Sequence, residues 1–85
     1  MPSVTIYTTP WCPYCKTAKS LLDRKSVAYD EIDVDGKPDL RQAMTARAGG
    51  RTSVPQIFIG ETHVGGSDDI HALDARGELD RLLTA

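Results

Sequence analysis

The sequence contains only two cysteines in 85 residues, Cys12 and Cys15. It has few aromatic residues, with one Trp, three Tyr and one Phe, yet 40% of its residues are hydrophobic, enough for a modest core. The chain is also well above the roughly 40 residues below which disulfides or metals are usually required for folding. We therefore expect one domain over residues 1–85 in which the cysteines need not be structural staples.

Three further absences limit the classes of function. The sequence has no apolar run of about 18 residues, so we expect no membrane span. Its formal charge of −2 lacks the basic excess that is typical of nucleic-acid binding. The N-terminal segment lacks a basic region followed by an apolar one, so we expect no secretory signal and a cytoplasmic protein. Two close cysteines in such a chain indicate catalysis or metal binding rather than a structural bridge.

The hydrophobic pattern predicts an α/β fold. Alternation with β-branched residues indicates strands, and apolar residues at helical spacing indicate helices. We predict strands over 4–8, 27–34, 56–59 and 62–64, and helices that begin near Pro13, Pro38 and Ser67, the last interrupted at Gly77. The two early crossovers predict parallel strands, and the two-residue turn at Gly60-Glu61 adds an antiparallel one. The expected order is βαβαββα, with a four-stranded mixed sheet flanked by helices.

The two cysteines stand between the first predicted strand and the first predicted helix. Cys12 is expected just outside the helix, and Cys15 within its first turn. A thiol at a helix N-terminus faces unpaired N–H groups and the positive end of the helix dipole, and both favour the thiolate. A second thiol one turn further on can attack a mixed disulfide formed by the first. The segment predicts a dithiol redox centre in which Cys12 is the nucleophile and Cys15 is more shielded.

The alternatives for these cysteines are a pair of small buried residues or half of a zinc site. A structural zinc site takes about four ligands. The sequence offers only His63 and His71 in addition, at spacings that do not match those of zinc fingers. We therefore expect no metal site.

Three segments, in this order, resemble the glutaredoxin family in its small bacterial dithiol form. Cys12-Pro13-Tyr14-Cys15 is similar to the active site, Ser53-Val54-Pro55 to the segment across the groove, and Gly65–Asp69 to the glutathione-binding loop and helix start. The resemblance implies a thioredoxin-like fold and glutathione-dependent reduction of protein disulfides and protein–glutathione mixed disulfides. It also implies that glutathione is the reductant, with no tightly bound cofactor. We expect a monomer, because no long apolar face is left over.

The same resemblance implies which residues bind glutathione. They are Tyr14, Ser53, Val54, Pro55, Gly66, Ser67 and Asp68, to which we add Arg51 as the candidate for a positive charge that the family usually places elsewhere. Val54 would pair its backbone with the tripeptide, next to a cis Val54–Pro55 bond. The N–H groups of Ser67 and Asp68 would bind the γ-glutamyl carboxylate, and the Asp68 side chain its α-amino group. Gly65 and Gly66 would let the ligand approach the backbone closely.

The chain departs from many relatives at three positions. Ser53 replaces a threonine, Ser67 stands where some relatives have a further cysteine, and Thr9-Pro10 stands where many have a lysine. The positive charge for a glutathione carboxylate must then come from elsewhere, and Arg51 is the first candidate and Arg47 the second.

Several site residues have a simpler interpretation. Lys16 either assists the thiolate or is a solvated helix lysine, and Trp11 is expected to pack beside the active site. Gly65–Asp69 would also suit a plain helix start, with Ser67 as the capping residue. Two further functions stay open within the family: an iron–sulfur cluster carrier, which Pro13 disfavours, and reduction by thioredoxin reductase instead of glutathione.

Overall fold

The computed structural model describes residues 2–84. The elements are β1 (Val4–Thr8), α1 (Pro13–Arg24), β2 (Asp30–Asp33), α2 (Pro38–Arg47), β3 (Gln56–Ile59), β4 (Thr62–Gly65), α3 (Ser67–Ala75) and α4 (Leu79–Thr84). The predicted order is confirmed up to α3, and the predicted interruption at Gly77 is confirmed as well, since it separates the last segment into α3 and α4. Gly77 lies between them with φ at +73°, a left-handed conformation that glycine adopts readily and that an α-helix does not contain.

The four strands form one mixed sheet in the order β2-β1-β3-β4. Strand β2 is parallel to β1, as predicted, whereas β3 is antiparallel to β1 and to β4. The expectation that the second crossover also joins parallel strands was therefore wrong. Because α2 and the loop after it return to the sheet edge where β2 ends, β3 runs back across the sheet.

The bounds of two strands differ from the prediction: β2 is shorter at both ends, covering Asp30–Asp33, and β4 extends one residue further, to Gly65. Strand β2 begins at Asp30, where its pairing with Thr5 of β1 starts, and not at Val27. Val27 is nevertheless buried, so its apolar side chain packs in the core although its backbone is not part of the strand. The predicted two-residue hairpin is present, with Ile59 paired to Thr62 and Gly60 at φ +58°.

The core lies on both faces of the sheet. The larger cluster packs β1 and β3 against α1, α3 and α4, and contains Val4, Ile6, Ala18, Leu21, Leu22, Val27, Ile57, Ile59, Ile70, Leu79 and Leu83. The smaller cluster lies under α2 and contains Tyr7, Val34, Met44, Ala48 and Phe58. Neighbours such as Ile57 and Phe58 fall in different clusters because successive side chains of a strand point to opposite faces. Among the helices of residues 2–84, none is long and apolar enough to cross a membrane.

The strand directions bring four chain segments to one edge of the sheet. Strands β1, β2 and β4 end there, and the antiparallel β3 begins there. The cysteine pair follows β1, Val54 and Pro55 precede β3, and Gly66 follows β4. The three segments that the sequence singles out therefore meet at this edge.

The first prediction concerns the core that holds this edge in place. Leu22 on α1 is fully buried, whereas Leu40 on α2 is 38% exposed. Leu22→Ala should lower the free energy of unfolding by about 2–5 kcal/mol, because it removes buried contacts and leaves a cavity. Leu40→Ala is the matched control and should change it by about 0.5 kcal/mol or less. Urea unfolding followed by circular dichroism measures both, and equal losses would contradict the assignment of the core.

Candidate functional site

The cysteine pair occupies the junction between β1 and α1. Cys12 is the N-cap residue of α1, with extended backbone angles (φ −103°, ψ 107°), and Pro13 follows at the first helical position. The backbone N–H of Cys15 donates a hydrogen bond to Cys12 Sγ over 3.0 Å. Both thiols are free, and Cys12 is 8% exposed against 1% for Cys15. The predicted placement is confirmed: Cys12 lies just outside the helix and Cys15 inside its first turn.

The two thiols have unequal electrostatic surroundings. The pKa of Cys15 is raised to about 12, first by burial and then by its side-chain hydrogen bond to Cys12, against an opposing backbone hydrogen bond at Thr9. The negative charge of Cys12 adds to the rise, and the positive charge of Lys19 opposes it. Cys15 is therefore a neutral thiol near pH 7. Once Cys12 is bound in a disulfide its charge is gone, so one cause of the raised pKa disappears.

The segment before β3 faces Cys12. The Cys12 thiol is within 3.8 Å of the Val54 carbonyl oxygen. The Val54–Pro55 peptide bond is cis, which confirms the expectation drawn from the resemblance. Backbone groups of this segment therefore lie beside the sulfur of Cys12.

A cavity of about 210 Å³ lies between this segment and the start of α3. It is lined by Tyr14, Arg51, Ser53, Val54, Pro55, Gly66, Ser67, Asp68 and Asp69. Eight of these are the residues expected to bind glutathione, so the fold brings that whole set together. Tyr14 is 64% exposed, as suits an open wall. Val54 connects the cavity to Cys12.

Asp69 is the lining residue that the sequence reasoning missed. Its Oδ2 accepts a hydrogen bond from the Gly66 N–H over 2.8 Å and pairs with Arg51 Nη1 at 3.1 Å. The Gly66 N–H, and then the Arg51 guanidinium, hold the pKa of Asp69 below its usual range. An acid at the third helical position that reaches back to the N-cap N–H is the second half of a capping box. That spacing was the signal available in the sequence.

The start of α3 differs from the expectation in its cap. Gly66, not Ser67, is the N-cap residue, and Ser67 is the first helical residue. The Asp69 carboxylate accepts from the Gly66 N–H itself, and Gly66 has no side chain that could accept from the N–H groups of the first turn. The N–H groups of Ser67 and Asp68 belong to the first helical turn, where an α-helix offers no internal acceptor. These groups lie where the cavity meets the helix.

Gly65 has a steric role at the same junction. Its φ is +113°, and a Cβ atom there would collide with the Asp69 carboxylate and come within 2.8 Å of Arg51. The glycine is therefore required for the Arg51–Asp69 pair to sit against the backbone. The resemblance had assigned this freedom to the approach of a ligand.

The structure locates two other residues that the sequence analysis named, Arg47 and Trp11. Arg47, the second candidate for the positive charge, lies 4.1 Å from the Phe58 ring centroid and donates to the Tyr7 hydroxyl over 2.9 Å. It is thus engaged under α2, and Arg51 lines the cavity. Trp11, expected to pack beside the site, is instead 88% exposed. It lies in the turn directly before the N-cap residue Cys12, where its side chain is open to solvent.

A second cavity, of about 410 Å³, lies on the other side of the cysteines. Its lining comprises Thr8, Thr9, Pro10, Cys12, Cys15, Lys16, Lys19, Glu31 and Asp33. Lys19 pairs with Glu31 at 2.9 Å, and the Thr8 hydroxyl donates to the same carboxylate oxygen over 2.7 Å. Lys16 lines this cavity together with both cysteines, which places its positive charge on the thiol side of the helix.

The second prediction tests the Asp69 cap. Asp69→Asn keeps an acceptor but removes the charge, so it should lower the free energy of unfolding at pH 7 by about 1 kcal/mol or less, since the side chain is 45% exposed. The folded-state pKa of Asp69 lies below its ordinary 3.8. The contribution of the Asp69 charge to the free energy of unfolding is therefore fully present above pH 3.8, and it is lost as the pH falls through the folded-state pKa.

Urea unfolding of both proteins between pH 7 and pH 2 measures this difference. Asp39→Asn, in the first turn of α2, is the matched control and should not reproduce the pH dependence. A difference that grows as the pH falls would contradict the prediction.

Comparisons with known proteins agree with this geometry. The glutaredoxin family model matches residues 4–64. A glutaredoxin of Pseudomonas aeruginosa is 65% identical over 85 residues, which cover 100% of both chains. The solution structure of glutaredoxin from Brucella melitensis superimposes with a TM-score of 0.86 at 54% identity, over 98% of this chain and 89% of that one. A buckwheat glutaredoxin–glutathione complex has a TM-score of 0.87 at 29% identity, over 98% and 77%.

The matched region contains the cysteine pair, the segment before β3 and most of β4. The mixed four-stranded sheet with flanking helices is shared with these structures. These matches agree with the paired thiols at a helix start and with the cis-proline segment beside them. The chain therefore belongs to the glutaredoxin family, the thiol–disulfide oxidoreductases with a thioredoxin-like fold.

Proposed function

We propose that this protein uses glutathione to reduce protein disulfides and protein–glutathione mixed disulfides. The observation that carries the proposal is the cavity beside Cys12, whose lining includes all eight residues expected to bind glutathione. The buckwheat relative, which was solved as a glutathione complex, supports the same ligand. We further propose that it acts as a monomer in the cytoplasm, a compartment in which thiols are kept reduced.

The cavity suits the chemistry of the tripeptide. The γ-glutamyl carboxylate would bind the free N–H groups of Ser67 and Asp68 at the positive end of α3. The exposed Asp68 carboxylate would take the α-amino group. Arg51 lies over Gly66, so its positive charge reinforces the anion-binding end of the cavity. The Val54 backbone would pair with the cysteinyl residue as an added strand does.

With a protein–glutathione mixed disulfide, the Cys12 thiolate attacks the sulfur of the bound glutathione. The new S–S bond joins Cys12 to glutathione, the old one breaks, and the protein cysteine leaves as a thiolate that takes up a proton. A second glutathione thiolate then attacks the glutathione sulfur. Glutathione disulfide is released and Cys12 regains its electron pair.

With a protein disulfide, Cys12 first forms a mixed disulfide with one substrate cysteine. Cys15 then loses its proton and attacks Cys12 Sγ, which releases the reduced substrate and leaves a Cys12–Cys15 disulfide. Loss of the Cys12 charge in the intermediate removes one cause of the raised pKa of Cys15. Cys15 is thus inert before the first step and more easily ionised after it. Two glutathiones restore the dithiol and are oxidised to glutathione disulfide.

The third prediction separates the two cysteines. Cys12→Ser should abolish turnover of both substrate classes, because it removes the attacking sulfur. Cys15→Ser should retain turnover of a glutathionylated peptide, since glutathione resolves that intermediate, and should lose most reduction of a protein disulfide. NADPH consumption in an assay coupled to glutathione and glutathione reductase measures all four rates.

Two outcomes of that assay count against the proposal. Comparable activity in Cys12→Ser would contradict the assignment of the nucleophile. Equal wild-type turnover when thioredoxin reductase replaces glutathione and its reductase would contradict the dependence on glutathione.

The fourth prediction tests the helix end of the cavity. Asp68→Ala should raise KM for a glutathionylated peptide about tenfold, because a charged hydrogen bond to the α-amino group is lost. Its rate with a small disulfide that lacks the γ-glutamyl group should stay within about twofold of wild type. Initial rates over a range of each substrate give the comparison, and an equal loss with both would remove Asp68 from the binding site.

A further inference from the structure

A buried glutamine lies behind the segment that faces Cys12. Gln56 is the first residue of β3 and is 0% exposed. Its Nε2 donates to the Ser53 carbonyl oxygen over 3.0 Å and is 3.4 Å from Ser53 Oγ. Its Oε1 is 2.7 Å from His63 Nε2. One side chain therefore connects the segment before β3 to strand β4.

The chain of hydrogen bonds has a defined direction. Because the amide NH2 of Gln56 faces the Ser53 carbonyl, its oxygen faces His63, and His63 Nε2 must carry the hydrogen. The His63 ring is held by stacking on Phe58, with centroids 4.9 Å apart and planes 27° apart. Burial, and then the charge of Arg51, lower the pKa of His63, so the ring stays neutral near pH 7. The sheet thus fixes the donor that orients the glutamine amide.

This series of hydrogen bonds ends at Ser53, next to the residue that faces the sulfur of Cys12. Ser53 is directly followed by Val54, whose carbonyl oxygen is 3.8 Å from the Cys12 thiol. On its outer side the segment receives a hydrogen bond from Arg41 to the Thr52 carbonyl over 3.1 Å. Gln56 holds it from the inside. A shift of Ser53 would move the Val54 backbone relative to Cys12 and misalign a disulfide paired with it.

We propose that Gln56 is a positioning residue for disulfide exchange: its amide, oriented by His63, holds the Val54 backbone in register with Cys12. The inference rests on the proposed function, because the substrate that the register serves is the glutathionyl group. Gln56 itself touches neither substrate nor sulfur and acts through Ser53. Its removal should therefore weaken the binding of a paired peptide more than it affects the reactivity of the thiol.

The fifth prediction is a split between binding and reactivity. Gln56→Met keeps the length of the side chain and removes both hydrogen bonds. It should raise KM for a glutathionylated peptide about tenfold, the effect of roughly one hydrogen bond. Alkylation of Cys12 by iodoacetamide requires no peptide pairing and should stay within about twofold of wild type. Steady-state rates and mass-spectrometric labelling rates measure the two quantities.

Two further variants test the direction of the chain. Gln56→Glu can donate to Ser53 only when its carboxyl is protonated, so its KM relative to wild type should be larger at pH 8 than at pH 6. His63→Phe keeps the stacking on Phe58 but frees the amide to turn, and should raise KM in the same direction by a smaller factor. Because their packing changes differ, these variants test the inference even where Gln56→Met fails to fold.

The matched control is Ile59→Val, in the same strand and also buried. It should lower the free energy of unfolding by about 0.5–1.5 kcal/mol and leave KM unchanged. A folded Gln56→Met protein with wild-type KM would overturn the inference. So would an alkylation rate that falls in step with the rise in KM, since that would indicate general distortion. Failure of the wild type to saturate with the glutathionylated peptide would instead overturn the proposed function, and this inference with it.

Discussion

Strand β3 runs antiparallel to both of its neighbours, so its amino end meets the carboxyl ends of β1 and β4 at one edge of the sheet. The segment before β3 is thereby brought beside the cysteine pair that follows β1 and the helix start that follows β4. A parallel β3 would place that segment at the opposite edge, roughly 13 Å away along a four-residue strand. The cavity, and the approach of Val54 to Cys12, both follow from this single reversal.

The chemistry of the site depends on the different environments that the fold gives to the side chains of Cys12 and Cys15. One helical turn separates a sulfur that accepts a backbone hydrogen bond at the helix N-terminus from a sulfur that is buried inside it. Burial keeps Cys15 protonated at neutral pH, so the pair does not compete for the same substrate. In the proposed mechanism, the order of the two attacks therefore follows from the positions of the two thiols at the helix start.

The sequence was sufficient where structure follows from local pattern. The strand before Cys12, the helix after it and the hairpin at Gly60 depend on neighbours within a few residues, and the resemblance supplied the members of the cavity. The direction of β3 was mispredicted because a short apolar strand has the same pattern whichever way it runs. The exposure of Trp11 and the contact of Arg51 with Asp69 depend on where distant segments meet. Nothing in residues 51–69 read in order indicates that contact.

The two adjacent acids of α3, Asp68 and Asp69, differ in whether they contact a distant segment of the chain. Asp69 turns back to cap Gly66 and bind Arg51, and its carboxylate balances the guanidinium at the mouth of the cavity. Asp68 lines the same cavity and is exposed, so its carboxylate is accessible to the ligand that we propose. Asp69 thus stabilises the structure of the site, whereas the Asp68 carboxylate remains available to the proposed ligand. Because Asp69 anchors only one nitrogen of Arg51, the rest of the guanidinium can still donate to an incoming carboxylate. The positive charge of Arg51 and the N-terminus of α3 would then act on the anion together.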